Sequence, residues 1–257
     1  MNINILTWNI NKNESKSFYE ELHKQLLIDD IHIVVLQECF YDFSSNEFAE
    51  FDETIDYLSK KGRRSVRIFI RKSSELSTSD LTYHADVDNK LICMKIHTKS
   101  GCMFNLAGIH LYSISNVTKE QQNYLNSKFP ELIFRYESRI KEKKTIVVGD
   151  FNYGPFDDFF QNPKMFFTNS DRRFVRQFPE LQKKGTMRLF YNPMWNLVDG
   201  VIGSPEIMDC IDVGSIKILE SLNGKPLIKQ RINKLSESFL ANGYSDHLPV
   251  SFTLKLN

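Results

Sequence analysis

The apolar run Thr145-Ile146-Val147-Val148 ends in Gly149-Asp150-Phe151-Asn152, and this ending constrains the fold more than any other stretch of the 257-residue chain. A short apolar run rich in β-branched residues predicts a buried strand. Its close, a glycine followed by a carboxylate and a carboxamide two residues apart, predicts a strand that delivers polar groups to a pocket. Residues i and i+2 of an extended backbone point the same way, so Asp150 and Asn152 can share that pocket. Gly149 lets it approach the backbone closely. Taken alone, the same residues also fit a strand running into an Asx-type turn.

Four other predicted strand ends carry matching chemistry. The run Asn2 to Ile10 alternates, with Ile3, Ile5 and Asn9 on one face, and stops at Trp8-Asn9-Ile10-Asn11. Ile31 to Leu36 stops at Gln37-Glu38, Leu106 to Ile109 stops at His110, and the last strand is introduced by Ser245-Asp246-His247-Leu248-Pro249. In order, the chain offers TWNIN, LQE, GIHLYS, VVGDFN and SDHLP. A carboxylate such as Glu38 at the end of an apolar run needs a cation or hydrogen-bond donors. A hard divalent ion meets that need with oxygen ligands from one or two carboxylates.

The ordered set, spanning Asn9 to His247, resembles the endonuclease/exonuclease/phosphatase superfamily of deoxyribonuclease-like, metal-dependent phosphoesterases. The resemblance implies an α+β fold, a four-layer αββα sandwich of two mostly antiparallel sheets. It implies that Glu38 is the principal ligand of a magnesium ion, for which manganese can substitute, with Asn9 beside it and Asp246 as an additional metal-proximal aspartate. Asp150 is then the candidate for activating the attacking water, Asn152 orients that water or the phosphate, and His110 is a second histidine contacting phosphate. His247 can donate to a phosphate oxygen as charge accumulates, particularly with an aspartate fixing its tautomer. The family supplies that aspartate from its penultimate strand. In Ile207-Met208-Asp209-Cys210-Ile211-Asp212-Val213, Asp209 shares parity with Ile211 and Val213 and is the expected partner, with Asp212 the alternative.

Two departures from the family pattern are informative. Many members that process abasic DNA carry an aspartate two positions after the first asparagine, where this chain has Asn11, which argues against a repair endonuclease. Tyr191-Asn192-Pro193-Met194-Trp195 resembles a segment of a bacterial branch, which speaks to lineage and not to substrate.

No Pro/Gly/Ser-rich linker and no internal repeat divides the chain, so one domain over residues 1–257 is expected. A net charge of +1 gives no global attraction to polyanions, so any nucleic-acid grip must be local. The N-terminus opens directly on a strand pattern, with no signal peptide, and no apolar run is long enough to span a bilayer. Cys39, Cys93, Cys102 and Cys210 lack metal-site spacing and read as free thiols of a cytoplasmic protein, although Cys93 and Cys102 could face each other across a hairpin.

Ser15 is a plausible N-cap for a helix through Leu27, lined by Phe18, Leu22 and Leu26. Thr118 and Gln121 have capping-box spacing before a stripe from Leu125 to Ile140 that is interrupted near Pro130. Strands are expected over Ser65 to Arg71 and Leu91 to His97, with a turn at Thr98 to Gly101, and two more near Asp209 to Leu219 and His247 to Leu256. The region from Asn152 to Pro205 is weakly patterned.

Two basic clusters suit a phosphate backbone: Arg63, Arg64, Arg67, Arg71 and Lys72, and then Arg172, Arg173, Arg176, Lys183, Lys184 and Arg188. Ordinary solvated faces fit them as well. The expected function is magnesium-dependent hydrolysis of phosphodiester bonds by a nuclease acting on DNA or RNA. The alternative is a phosphatase or phosphodiesterase on a small substrate such as an inositol phosphate, nucleotide or phospholipid headgroup. A catalytically inactive binding module would have lost at least one motif residue, and all are present.

Overall fold

The structure is a computed structural model that describes residues 1–41, 43, 48–54, 65–114, 117–154, 175–177, 187–188, 195–227 and 245–256, with backbone alone at 175–177, 187–188, 195–196 and 226. The chain opens with β1 (Asn2–Asn9), α1 (Lys16–Ile28), β2 (Ile33–Gln37), β3 (Phe51–Glu53) and β4 (Val66–Arg71). There follow β5 (Leu76–Tyr83), β6 (Leu91–Thr98), β7 (Met103–His110), α2 (Lys119–Asn126), α3 (Lys128–Ile140) and β8 (Thr145–Asp150). The last part holds β9 (Val175–Gln177), β10 (Met187–Arg188), β11 (Trp195–Asn196), β12 (Asp199–Gly203) and β13 (Ile211–Ile218). It closes with β14 (Ser221–Leu222), β15 (Lys225–Pro226) and β16 (Val250–Lys255).

Twelve of these strands form two six-stranded sheets, in the orders β13-β16-β1-β2-β4-β3 and β5-β6-β7-β8-β12-β9. Each sheet has one parallel pair, β1 with β2 and β7 with β8. The remaining pairs of both sheets are antiparallel. A parallel pair needs a crossover, which α1 supplies in the first sheet and α2 with α3 in the second.

Strand alternation assigns the layers. Ile3, Ile5, Ile33, Val35 and Ile68 of the first sheet meet Met94, Leu106, Ile146, Val148 and Val201 of the second in one buried cluster. The opposite parity of the first sheet, Leu6, Trp8, Val34 and Leu36, packs on Phe18, Leu22 and Leu26 of α1. Cys93, Ala107, Ile109 and Val147 of the second sheet pack on Phe129, Leu132, Ile133 and Tyr136 of α3. The result is the expected α+β sandwich with four layers. Gly108 has inner parity, and a Cβ there would lie 3.0 to 3.1 Å from Ile68, Val35 and Val66 side-chain atoms, so its bareness lets the sheets close.

The local signals behave as their chemistry predicts. Ser15 caps α1, accepting from Phe18 N–H, and Thr118 and Gln121 form a reciprocal capping box on α2. The interruption near Pro130 is a break at Ser127 between two helices, which leaves the proline in the first turn of α3, where its missing N–H costs no hydrogen bond. Cys93 pairs with Ala107 across the β6–β7 ladder, away from Cys102, and all four thiols are free. Among the described residues no helix is long and apolar enough to cross a membrane.

Candidate active site

Strand direction brings the polar strand ends to one rim. β1, β2, β7 and β8 finish there, at Asn9, Gln37, His110 and Asp150. β12 runs antiparallel to β8 and starts there, with Asp199 opposite Asp150. β16 runs antiparallel to β1, so Ser245 and His247, just before it, reach the same end. Asn9, Gln37, His110, Asp150 and Asp199 all share parity with the core between the sheets. The site is therefore the polar end of the inter-sheet layer, floored by Thr7, whose hydroxyl accepts from Gln37 Nε2 at 2.9 Å.

His247 and Asp150 lie at its centre. His247 Nδ1 is 2.8 Å from Asp199 Oδ2, and its Nε2 is 3.9 Å from Asp150 Oδ2. Asn9 Nδ2 donates to Asp150 Oδ2 at 3.0 Å. Asn152 donates to Asp150 twice, from its backbone N–H to Oδ1 at 2.8 Å and from Nδ2 to Oδ2 at 3.3 Å. The backbone contact is an Asx turn, with Asn152 at φ 51°, so Asp150 and Asn152 meet through a turn and not through strand parity. Asn9 Oδ1 accepts from Asn11 N–H at 3.0 Å, and Ser245 Oγ accepts from His247 N–H at 3.0 Å while donating to Asn9 O. The indole of Trp8 donates to His247 O at 2.8 Å. Side-chain-capped turns thus fix each of the three central groups.

Gly149 is required beneath them. It holds φ 148°, and a Cβ there would lie 2.0 Å from Ile109 O and 3.2 Å from Gln37 Nε2.

On the other side of Asp150 stands His110, with Nε2 3.7 Å from both Asp150 Oδ2 and Glu38 Oε1. Glu38 follows β2 in the left-handed region at φ 50°, an uncommon conformation for glutamate that concentrates at functional sites. Lys12 Nζ is 3.7 Å from its other oxygen. Burial, and then the charge of Asp199, pushes Asp150 up to about 7. Burial acts to lower His247, but the carboxylates of Asp199 and Asp150 outweigh it and hold the imidazolium up to about 10. His110 is held well below the usual histidine value, first by burial and then by the charge of Lys90. The rim can therefore present an imidazolium beside a carboxyl that exchanges its proton near neutrality, with a neutral imidazole opposite.

The structure brings Asn9, Glu38, His110, Asp150, Asn152 and His247 together. It does not pair His247 with Asp209. That residue is exposed in a single helical turn, Met208–Cys210, and the strand carrying the expected parity begins only at Ile211 on the outer edge of the first sheet. Asp212 is ion-paired with Lys255 at 2.8 Å. The partner is Asp199, which sequence reading missed because β12 lies in the weakly patterned region. The signal was there in Val198-Asp199-Gly200-Val201-Ile202, an apolar run entered through Asp-Gly that mirrors the exit of β8. Asp246 is half-buried next to His247, and its charge helps to keep that imidazole protonated.

The described members of the first basic cluster do not form a free cationic patch. Arg67 is buried against Glu53, Arg71 reaches Asp30 at 2.6 Å, and Lys72 lies 3.6 Å from Asp52. Arg63 and Arg64, the side chains of the whole second cluster, and the Tyr191 to Trp195 side chains lie outside the described residues.

Asp150, Asp199 and His247 offer ligand atoms within 4.8 Å of one another, a buried cluster close enough to hold a metal ion. An ion among those three would have to replace the 2.8 Å His247–Asp199 hydrogen bond. Glu38 carries no such cost: its carboxylate has two ionic contacts at 3.7 Å and accepts no hydrogen bond from a described side chain. The oxygen groups of the same rim, the Asp150 carboxylate across His110 and the Asn9 carboxamide hydrogen-bonded to it, together with Glu38 make a set that fits a hard divalent cation. Cys39, next in sequence, is buried on the far side against Tyr19 and Arg67.

No family model matches the chain, and no curated protein matches it in sequence. Solved structures match in fold. An endonuclease/exonuclease/phosphatase family protein from Bacteroides thetaiotaomicron superposes with a TM-score of 0.66 at 17% identity, covering 99% of this chain and 97% of that one. The endonuclease domain of TRAS1, a telomere-specific non-LTR retrotransposon, gives 0.65 at 15% identity, covering 100% and 99%. An AP endonuclease from Leishmania major gives 0.66 at 10% identity, covering 100% and 88%. This chain has the fold of the endonuclease/exonuclease/phosphatase proteins.

Proposed function

We propose that this chain is a divalent-cation-dependent phosphoester hydrolase of the endonuclease/exonuclease/phosphatase superfamily that cleaves phosphodiester bonds of nucleic acid. The observation that carries the reading is the buried series Asp199, His247, Asp150, whose charges set an acid and a base side by side. Asp150, exchanging its proton near pH 7, is matched to deprotonating a water. Asn9 and Asn152 orient the carboxylate for that task. His247 donates from Nε2 to a non-bridging phosphate oxygen as charge builds there, and Asp199 holds the ring and stabilises its positive charge. His110 contacts the same phosphate from the side of Glu38. The bond formed is water oxygen to phosphorus, the bond broken is phosphorus to ester oxygen, and the water's proton passes to Asp150.

Glu38, with the carboxamide oxygen of Asn9 and with Asp246, would hold magnesium or manganese. Bound there, the cation supplies Lewis-acid stabilisation of phosphate charge. Nucleic acid as substrate is supported by the endonuclease names of structurally similar proteins. A smaller phosphoester is the second reading, favoured by the ion pairing of Arg67, Arg71 and Lys72. Plasmid DNA, single-stranded RNA and a set of small phosphoesters, each with magnesium and with chelator, separate the two. Cleavage of a polymer in magnesium supports the nuclease. Turnover of small esters alone supports the second reading, and no magnesium-dependent hydrolysis overturns both.

A further inference from the structure

Lys90 and His110 face each other across the ladder of β6 and β7. His110 N–H donates to Lys90 O at 2.9 Å, extending the register that pairs Leu91 with Ile109. The Lys90 ammonium then lies 3.4 Å from His110 Nδ1 and 5.1 Å from the centre of the Tyr112 ring. That ring is anchored, because Tyr112 OH donates to Asp88 Oδ2 at 2.6 Å while Gln122 and Asn126 hold the Tyr112 backbone. Lys90 is half-buried, and among the described residues its ammonium has no carboxylate ion pair.

An ammonium has three donors and no acceptor. Facing Nδ1, it can only donate, so Nδ1 must offer its lone pair and the ring proton of a neutral His110 sits on Nε2. Nε2 is the atom 3.7 Å from the carboxylates of Glu38 and Asp150, where an N–H is favoured and a lone pair is not.

We propose that Lys90 is a positioning residue that fixes His110 as the Nε2–H tautomer and so denies the site a nitrogen ligand, restricting it to hard, oxygen-ligated cations. For His110 to bind a softer ion through Nε2, its proton would have to move to Nδ1 and confront the Lys90 ammonium, donor against donor. The second half of the proposal rests on the cation at Glu38 inferred above, and the first does not.

The test begins without metal or substrate. In protein labelled with 15N-histidine, long-range 15N–1H spectra should show His110 with an unprotonated Nδ1 and a protonated Nε2. Lys90→Arg should keep that pattern, and Lys90→Met should lose the single tautomer. A protonated Nδ1 in the wild-type chain overturns the proposal, as does an unchanged tautomer in Lys90→Met. Calorimetric titration with zinc and with manganese then reads selectivity. Groups behind a metal site typically shift affinity by about 10–100-fold, and the zinc-to-manganese affinity ratio should rise by about tenfold or more in Lys90→Met while Lys90→Arg stays at the wild-type ratio. An equal ratio in all three proteins contradicts the selectivity claim. A chain with the stated tautomer that hydrolyses no phosphoester fails the proposed function alone, and an active hydrolase with Nδ1 protonated fails this proposal alone.

Discussion

His247 Nδ1 lies 2.8 Å from Asp199 Oδ2, although 48 residues separate them in sequence. β12 begins at the rim where β8 ends, and the turn before β16 delivers the histidine to the same place. The hydrogen bond fixes which ring nitrogen faces Asp150 and supplies the negative charge that keeps His247 protonated.

Asp199→Asn should therefore lower phosphoester turnover by about 10²–10⁴-fold, the range for removing a positioned proton-transfer or oxyanion-stabilising group. Asp209→Asn and Asp212→Asn should leave the rate near wild type. Steady-state rates on one phosphodiester, with circular dichroism confirming the fold, decide it. A silent Asp199→Asn beside an inactive Asp209→Asn would reverse the assignment.

The pH profile follows from two raised values. Asp150 acts only when deprotonated, and its shift to about 7 moves the acid limb up from the usual carboxylate range. His247 acts only when protonated, and its shift to about 10 moves the alkaline limb up from the usual histidine range. A cation at Glu38 adds positive charge and draws both limbs toward lower pH. In Asp199→Asn the alkaline limb should fall by more than the acid limb, because His247 loses its nearest carboxylate. Residual turnover of that variant against pH checks this.

Much of the rim was legible because each motif sits where an apolar alternation stops or starts. Asn9, Glu38, His110 and Asp150 lie at or next to such a stop, and His247 lies just before the last alternation starts. Asp199 was not legible by the same rule, since β12 is five residues long and follows a stretch with little periodicity. Parity misplaced the histidine's partner because parity holds only inside a strand, and Asp209 precedes β13. β5 escaped notice as well: LSTSDLTY is half-exposed and polar, an edge strand stabilised by pairing more than by its own burial. The basic residues near β4 looked like a binding face because sequence gives no view of partners in space, and three of them, Arg67, Arg71 and Lys72, proved to be ion-paired.

Arg67 is the clearest of these. It is buried, paired with Glu53, and stacked over the Phe43 ring at 4.5 Å. Breaking a buried pair by removing one partner costs about 3–5 kcal/mol. Arg67→Ala should lose that much in urea unfolding and leave the salt dependence of substrate binding unchanged. A stable variant with weakened nucleic-acid binding would restore Arg67 to the binding face.

Gly149→Ala tests the closeness of β7 and β8, neighbours in one sheet beneath the site. A Cβ 2.0 Å from Ile109 O, at φ 148°, cannot be accommodated without moving backbone. A loss of about 3 kcal/mol in denaturant unfolding is expected, in the upper range for single substitutions. A variant as stable as the wild type would show that β7 and β8 can part without cost.

The central claim is that Glu38 holds a divalent cation on which phosphoester hydrolysis depends. The direct measurement is the rate of phosphodiester hydrolysis across a magnesium titration, for the wild-type chain and for Glu38→Gln. The wild type should show saturable activation and no turnover in excess chelator, and the variant should remain folded with sharply weakened magnesium dependence. Full activity of the wild type in chelator, or an unchanged magnesium response in Glu38→Gln, would contradict it.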